Sequence, residues 1–210
     1  MVANSLRAQL LQDIETSPKL YLMKSRPEPQ RNGPPKTSLM KFRHYLHLRD
    51  KEERKAFVRV LASEHPFALE KLRHGHTRNY KIYSVVPRDR RLCRLCADAI
   101  ESPEHALLLC TGDDRLRDMR AIFLAQAAAR QPGLPDTRDA ARATETLQSL
   151  LSLPNIAGEL ARYILFVFDL FDSVALVWPP DLITRIPRTA TAGQDRGRGR
   201  GRGRRLVANT

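Results

Sequence analysis

Three cysteines and one histidine lie close together in the sequence, at Cys93, Cys96, His105 and Cys110. Their spacing, C-x2-C-x8-H-x4-C, is typical of a structural zinc site, because thiolate and imidazole are the ligands that Zn²⁺ takes in a closed tetrahedron. Two cysteines separated by two residues can hold one ion from a tight turn. The sequence therefore predicts one bound Zn²⁺. The alternative is that three small hydrophobic cysteines and an incidental histidine match this spacing by chance.

The residues around the histidine predict how the second pair of ligands is placed. Ser102 is a good helix N-cap and Pro103 a good first helical residue, so His105 should lie in the first turn of a short helix. Cys110 follows five residues later, roughly 140° around an ideal α-helix. The helix must therefore loosen near Cys110, and Gly112 permits this change.

A closed ligand set indicates a structural metal, because a catalytic zinc keeps one position open for water. The acidic pair Asp113 and Asp114 stands at the start of a predicted helix and is interpreted as a cap. Glycine repeats occur only in the arginine-rich end of the chain, so no phosphate-binding loop is predicted. The remaining five histidines are interpreted as structural or solvated. We expect a protein that is not an enzyme.

The charge of the chain indicates a polyanionic partner. Lys and Arg number 36 against 23 Asp and Glu, which gives a net charge of +13. Such a protein binds nucleic acid by releasing counterions, and RNA or single-stranded DNA is the expected form. The cations beside the cysteines should also stabilise the thiolates. The predicted contacts to nucleic acid are Arg90, Arg91 and Arg94 beside the cysteines, and Arg196, Arg198, Arg200, Arg202, Arg204 and Arg205 near the end.

Hydrophobic periodicity predicts a mainly α fold, a helical bundle-like domain with a small zinc knuckle and a disordered basic tail. Four segments follow: an N-terminal helix and proline-rich linker over 1–37, a helical region over 38–130 with the knuckle at 91–111, a helical hairpin over 131–180, and a disordered arginine-glycine tail over 181–210. Helices are predicted from Ser38, from Asp50 to Ala62, at 67–72, 113–131 and 137–151, and from Pro154 onward. Val58 and Ile122 should face inward, Gly75 should form a left-handed helix cap, and 80–86 should be extended.

The last helix is the most apolar part of the chain. Asp169 and Asp172 lie within it and oppose membrane insertion, so a buried core helix and no membrane partner are predicted. The odd number of cysteines and the absence of an apolar leader predict an intracellular protein, in the nucleus or cytoplasm. The alternative function is a zinc-stabilised protein-protein interaction module whose docking face carries Phe166, Phe168 and Phe171.

Three segments resemble the carboxy-terminal region of reverse transcriptases from fungal non-LTR retrotransposons: CRLCADAIESPEHALLLC, DDRLRDMRAIFL and ELARYILFVFDLFD. The resemblance covers roughly 81–178 and is most specific in the knuckle. It implies that the four ligands hold zinc in an accessory that binds nucleic acid during target-primed reverse transcription. The aromatic-x-Asp-Asp polymerase motif is missing, because Thr111 and Gly112 precede Asp113 and Asp114, so the chain resembles a fragment without polymerase activity.

Overall fold

The structure is a computed structural model that describes residues 2–24, 43–134 and 136–187. The fold is mainly helical, which confirms the predicted class. Its α-helices are α1 (Val2–Thr16), α2 (Lys51–Leu61), α3 (Ala68–Lys71), α4 (Asp114–Arg130), α5 (Ala143–Ser152) and α6 (Ala157–Asp172), and a π-helix covers His105–Leu109. Three short strands are β1 (His76–Arg78), β2 (Lys81–Tyr83) and β3 (Ile183–Arg185). The predicted linker at 25–35, the helix start at Ser38 and the tail from 188 lie outside the described residues.

Helix α2 begins where its cap was predicted. The side chain of Asp50 accepts hydrogen bonds from the N–H groups of Glu52 and Glu53, both at 2.8 Å, which satisfies two donors at the helix start. The buried face carries Ala56, Phe57, Val60 and Leu61. The prediction that Val58 is buried was wrong, since 36% of this side chain is exposed. Val58 lies about 100° from its helical neighbour Phe57, which takes the core position instead.

Helix α6 forms the centre of the core and packs against α2 and α4. Phe168 and Phe171 are 2% and 0% exposed, and Phe166 is partly buried. The predicted core helix is therefore confirmed, whereas the alternative docking face was wrong for Phe168 and Phe171. Within the described ranges, no single helix is long and apolar enough to cross a membrane, and 140–152 with 154–172 reach that length and composition only as a pair bent by 81°. The sequence predicted a helical hairpin here. The two segments instead meet at a corner of 81° at Pro154.

Helix α4 is capped as predicted, because the Asp113 carboxylate accepts from the N–H of Leu116 at 3.2 Å. Leu116 and Phe123 are buried, and the Phe123 ring stacks on Tyr163 of α6 with centroids 5.0 Å apart. Ile122 is 50% exposed, so its predicted inward position was wrong. Ile122 and Phe123 are adjacent on the helix, and only Phe123 points to α6.

The three strands form an antiparallel sheet in the order β1-β2-β3. Strand β2 lies within the predicted extended segment. A two-residue turn joins it to β1, and Asn79 and Tyr80 both have positive φ, as this tight turn requires. Residues 180–185 form a turn and a strand, so the tail begins later than the predicted 181, because β3 has β2 to pair with.

Gly75 was wrongly predicted as a left-handed helix cap, because the positive-φ residues of the described chain do not include it. Helix α3 ends instead at Lys71 and is capped by Leu72, whose N–H donates to the carbonyls of Ala68 and Glu70. Gly75 serves close packing, since a Cβ at this position would lie 2.8 Å from the carbonyl oxygen of Tyr83.

Candidate metal centre

Cys93, Cys96, His105 and Cys110 converge on one point. Their ligand atoms all lie within 4.8 Å of one another, with Sγ of Cys93 and Cys110 3.7 Å apart and Sγ of Cys96 3.3 Å from Nε2 of His105. Zinc bonds of about 2.3 Å to sulfur and 2.0–2.1 Å to nitrogen place tetrahedral ligand atoms about 3.6–3.8 Å apart. All three cysteines are free thiols. The cluster therefore has the donor set and the spacing to hold a metal ion.

The π-helix explains how His105 and Cys110 can face the same point although they are five residues apart. The N–H of Cys110 donates to the carbonyl oxygen of His105 at 2.7 Å, which is an i to i+5 bond. The wider turn brings both ligands to the same side, and the predicted loosening of the helix is confirmed. Ser102 is the predicted cap, because its Oγ lies 3.2 Å from the N–H of His105.

The first two ligands stand in a tight turn. The N–H of Cys93 donates to the carbonyl of Ala99, and the N–H of Ala97 donates to the carbonyl of Cys93, both at 2.8 Å. Leu92 and Ile100 form an antiparallel bridge at the base of this turn. These backbone contacts fix the shape of the turn. The turn can therefore present both cysteine side chains to one ion.

A hydrogen bond between two of the thiols shifts their pKa values in opposite directions. The bond from Cys93 to Cys110, with burial second, raises the pKa of Cys93 to about 12, and the same bond lowers the pKa of Cys110. Backbone N–H groups of Cys96 and Leu95 lower the pKa of Cys93, and that of Gly112 lowers the pKa of Cys110. Binding of a metal must displace the Cys93 proton, so it releases protons to solvent.

Arg94 fastens the knuckle to the core. Its side chain is 3% exposed and pairs with Glu101, which is 0% exposed, at 2.6 Å. The guanidinium also donates to the carbonyls of Phe171 at 2.8 Å, Val174 at 3.0 Å and Pro66 at 2.9 Å. The prediction that Arg94 contacts nucleic acid was wrong, because its guanidinium is buried and its N–H groups donate to Glu101 and to backbone carbonyls. Its charge is compensated by Glu101 and not by the thiolates.

Glu101 was missed by the sequence analysis. Besides Arg94, its carboxylate accepts from the backbone N–H of Ala68 at 2.6 Å and from that of Arg94 at 2.7 Å. A single glutamate two residues before a proline gives no pattern from which these long-range contacts could be read. It joins α3, the knuckle and, through Arg94, the end of α6.

Arg120 of α4 holds the other half of the ligand set. The π-helix ends at Leu109 and leaves carbonyl groups without helical partners. Arg120 donates to the carbonyls of Cys110 at 2.7 Å and Leu107 at 3.0 Å, and the hydroxyl of Tyr163 donates to Leu107 at 2.7 Å. Helices α4 and α6 thereby fix the segment that carries His105 and Cys110.

Arg90 and Arg91, two further predicted nucleic-acid contacts, also have partners within the chain. Arg91 is half-buried and donates to the carbonyls of Leu69 at 2.7 Å and Val86 at 2.9 Å. Arg90 forms a two-bond pair with Asp181 at 2.7 and 2.8 Å, in which both side chains remain largely exposed. The six predicted arginines at 196–205 lie outside the described residues.

A cavity of about 880 Å³ borders the metal cluster on the His105 side, and Tyr21 and His65 line it. The buried Nδ1 of His65 has no hydrogen-bond partner in the part of the chain that the structure describes. Burial lowers the pKa of His65 to about 4 and raises the pKa of Tyr21. Both groups are therefore uncharged at neutral pH.

Comparison with known proteins adds no relative. No family model, no curated protein and no solved structure matches the chain. The fold and the cluster define a mainly helical protein with a Cys-Cys-His-Cys group that can bind a metal ion.

Proposed function

We propose that this protein is a zinc-stabilised nucleic-acid-binding module without catalytic activity of its own. The observation that carries the proposal is the convergence of three sulfur atoms and one imidazole nitrogen within 4.8 Å. Zinc is the ion that best suits a mixed sulfur and nitrogen set at tetrahedral spacing. Four protein ligands leave no position for a substrate or a reactive water, which supports a structural role.

The position of the cluster explains what zinc would stabilise. Cys93 and Cys110 are 2% and 0% exposed, and the surrounding segment is tied to α4 by Arg120 and to α6 by Arg94. Structural zinc supplies on the order of 10 kcal/mol to folding. Metal binding would therefore stabilise the packing of the central helices as well as the knuckle.

Nucleic acid is proposed as the partner because of charge. A net charge of +13 favours polyanions by counterion release, and the arginine-glycine segment near the end concentrates part of that charge. The resemblance to the carboxy-terminal region of retrotransposon reverse transcriptases supports the same partner and suggests that the chain derives from such an element. The alternative docking module is less favoured, since Phe168 and Phe171 belong to the core.

The metal part is tested on the purified full chain. Elemental analysis should find about one zinc per chain. Cys96→Ser should lose the metal and the protection of 91–111 from hydrogen exchange, whereas Asp98→Ser, an exposed neighbour that is not a ligand, should keep both. Metal-free wild-type protein with full protection in 91–111 would end the zinc proposal.

The nucleic-acid part is tested with a labelled single strand of mixed sequence. Fluorescence anisotropy should show binding that weakens as salt rises. A zinc-loaded protein that binds no strand at low salt would refute this part and leave only the structural metal.

A further inference from the structure

The three-stranded sheet carries an unusual set of side chains on one face. Strand register places Arg78 opposite Lys81 and Lys81 opposite Arg185, in one row across all three strands. Two positions along each strand, a second row contains His76, Tyr83 and Ile183. Side chains two positions apart share a face, so these six residues form one surface, here called the basic sheet face.

The cation row is uncompensated. Arg78 and Arg185 are exposed and Lys81 is half-exposed, and none of the three forms an ion pair with any residue in the described ranges. Like charges directly opposite each other on neighbouring strands destabilise a sheet. With neighbouring strands about 4.8 Å apart, three cations lie along about 10 Å. This concentration of positive charge favours an anionic partner.

Aromatic rings adjoin the cations. The rings of His76 and Tyr83 stack with centroids 4.7 Å apart and an interplanar angle of 10°. Trp178 packs edge-on against both, at 4.9 and 5.4 Å, and its Nε1 donates to the carbonyl of Ser84 at 2.9 Å. His76 is exposed, and Tyr83 and Trp178 are partly exposed. Preformed rings beside cations supply both interactions that a single strand uses, stacking for bases and charge for phosphates.

We propose that the basic sheet face, with Trp178, is the platform on which a single-stranded nucleic acid binds. This inference rests on the proposed nucleic-acid function and gives that function a location. A strand is favoured over an acidic peptide because the rings would add nothing to the binding of carboxylates alone. A sheet of three short strands with partly exposed rings also suits an extended strand with unpaired bases more than a duplex.

The chain connectivity supports this location. Strand β3 ends at Arg185, and the sequence continues to Arg188 and to the arginine-glycine repeats from Arg196. The most basic segment therefore follows the cation row in the sequence.

Trp178 is the only tryptophan in the chain, so its fluorescence reports on this face alone. Zinc-loaded full-length protein is titrated with oligouridine, with oligothymidine and, as an anion without bases, with poly-glutamate. Both oligonucleotides should quench Trp178, and the stronger binder of the two shows which combination of sugar and base the face prefers. Equal quenching by poly-glutamate would mean that the face recognises charge alone and would overturn the platform.

Matched charge variants separate the platform from diffuse attraction. The sheet variant replaces three cations of the row, Arg78→Gln, Lys81→Gln and Arg185→Gln. The control removes the same charge from exposed positions outside the sheet, Arg7→Gln, Arg49→Gln and Lys51→Gln. Loss of three phosphate contacts should lower the slope of log affinity against log salt by about 2 for a single strand. The control should keep most of the slope.

A third variant tests stacking without changing charge. Tyr83→Leu should weaken binding by about fivefold or more, because base stacking on an aromatic ring contributes at least that much. Equal losses in the sheet and control variants, or an unchanged affinity in Tyr83→Leu, would overturn the platform while leaving the proposed function intact. No binding by the wild-type protein would instead reject the proposed function, and the platform with it.

Discussion

Gly112 and Leu95 lie backbone against backbone, so closely that a Cβ on the glycine would stand 2.5 Å from the carbonyl oxygen of Leu95. The contact joins the turn that carries Cys93 and Cys96 to the segment just after Cys110. The absence of a side chain at Gly112 therefore lets the two halves of the ligand set approach each other. The glycine acts through this close approach, because it is not among the positive-φ residues.

Gly112→Ala should separate these halves and weaken metal binding. We expect a loss of about 1–3 kcal/mol in unfolding free energy, because backbone atoms cannot move aside as a flexible side chain would. Gly158→Ala is the matched control, since its Cβ would meet no atom closer than Arg162 Nη2 at 3.9 Å. The control should be neutral or slightly stabilising, because alanine favours helix. Urea unfolding and competition with a zinc chelator measure both effects, and an unaltered zinc affinity in Gly112→Ala would contradict the prediction.

Arg94→Met should destabilise the zinc-loaded protein by about 3–5 kcal/mol, because it leaves the carboxylate of Glu101 buried without its cation. Arg90→Met removes an arginine that also pairs with a carboxylate, but in an exposed position opposite Asp181. Water and salt screen that pair, so little change is expected. Thermal unfolding of the two variants under one buffer compares them directly. Similar melting temperatures for both variants would show that the buried pair of Arg94 and Glu101 contributes no more to stability than the exposed pair of Arg90 and Asp181.

His65 should make stability depend on pH. Burial, with Glu70 opposing and Arg59 assisting, lowers its pKa from 6.5 to about 4, so the folded protein keeps the imidazole neutral. The unfolded chain binds the proton more readily, and stability is therefore lost as pH falls from about 6.5 toward 4. The loss should reach at most about 3 kcal/mol, because one pKa unit corresponds to about 1.4 kcal/mol.

Denaturant unfolding at several pH values measures this loss for wild-type protein and for His65→Phe. The difference between the two curves removes the contribution of metal release, which both proteins share. His74→Gln, at an exposed position, controls for the removal of an imidazole. A difference that does not vary from pH 7 to pH 4 would rule out titration of His65.

Truncation after Ala192 removes the six predicted tail contacts from Arg196 to Arg205. Binding to a mixed-sequence single strand should weaken, and the salt slope should fall by up to about 4, because six phosphate contacts are lost. A full-length variant with lysine at these six positions should keep most of the slope, since the contacts depend on charge. Equal affinity of full and truncated chains at every salt concentration would assign the tail no role in binding.

The ligand set and several helix starts were predictable because they depend on local spacing. The four residues of the candidate metal site, the caps at Asp50 and Asp113 and the loosened turn before Cys110 follow from residues that are close in the sequence. Such features are decided by backbone geometry that the neighbouring sequence already specifies.

Tertiary packing decided the features that the sequence analysis missed. Val58 and Ile122 are apolar, but their neighbours Phe57 and Phe123 occupy the core. From the sequence, Arg94 was expected to be a surface cation. In the structure it is buried and donates to Glu101 and to the carbonyl of Phe171 in α6. Strand β3 could not be read from a basic, short segment, because its partner β2 lies far away in the sequence.

That distance affects the order of folding. Tyr83 and Ile183 pair across 100 positions in the sequence, so the third strand closes a loop that contains the Cys-Cys-His-Cys group and helices α4, α5 and α6. Closing such a loop in an unfolded chain has an entropic cost of about 4 kcal/mol, which falls once the core has formed. Strand β3 should therefore dock last and detach first. A strand of nucleic acid that contacted all three cations of the row would hold this last-formed edge of the protein in place.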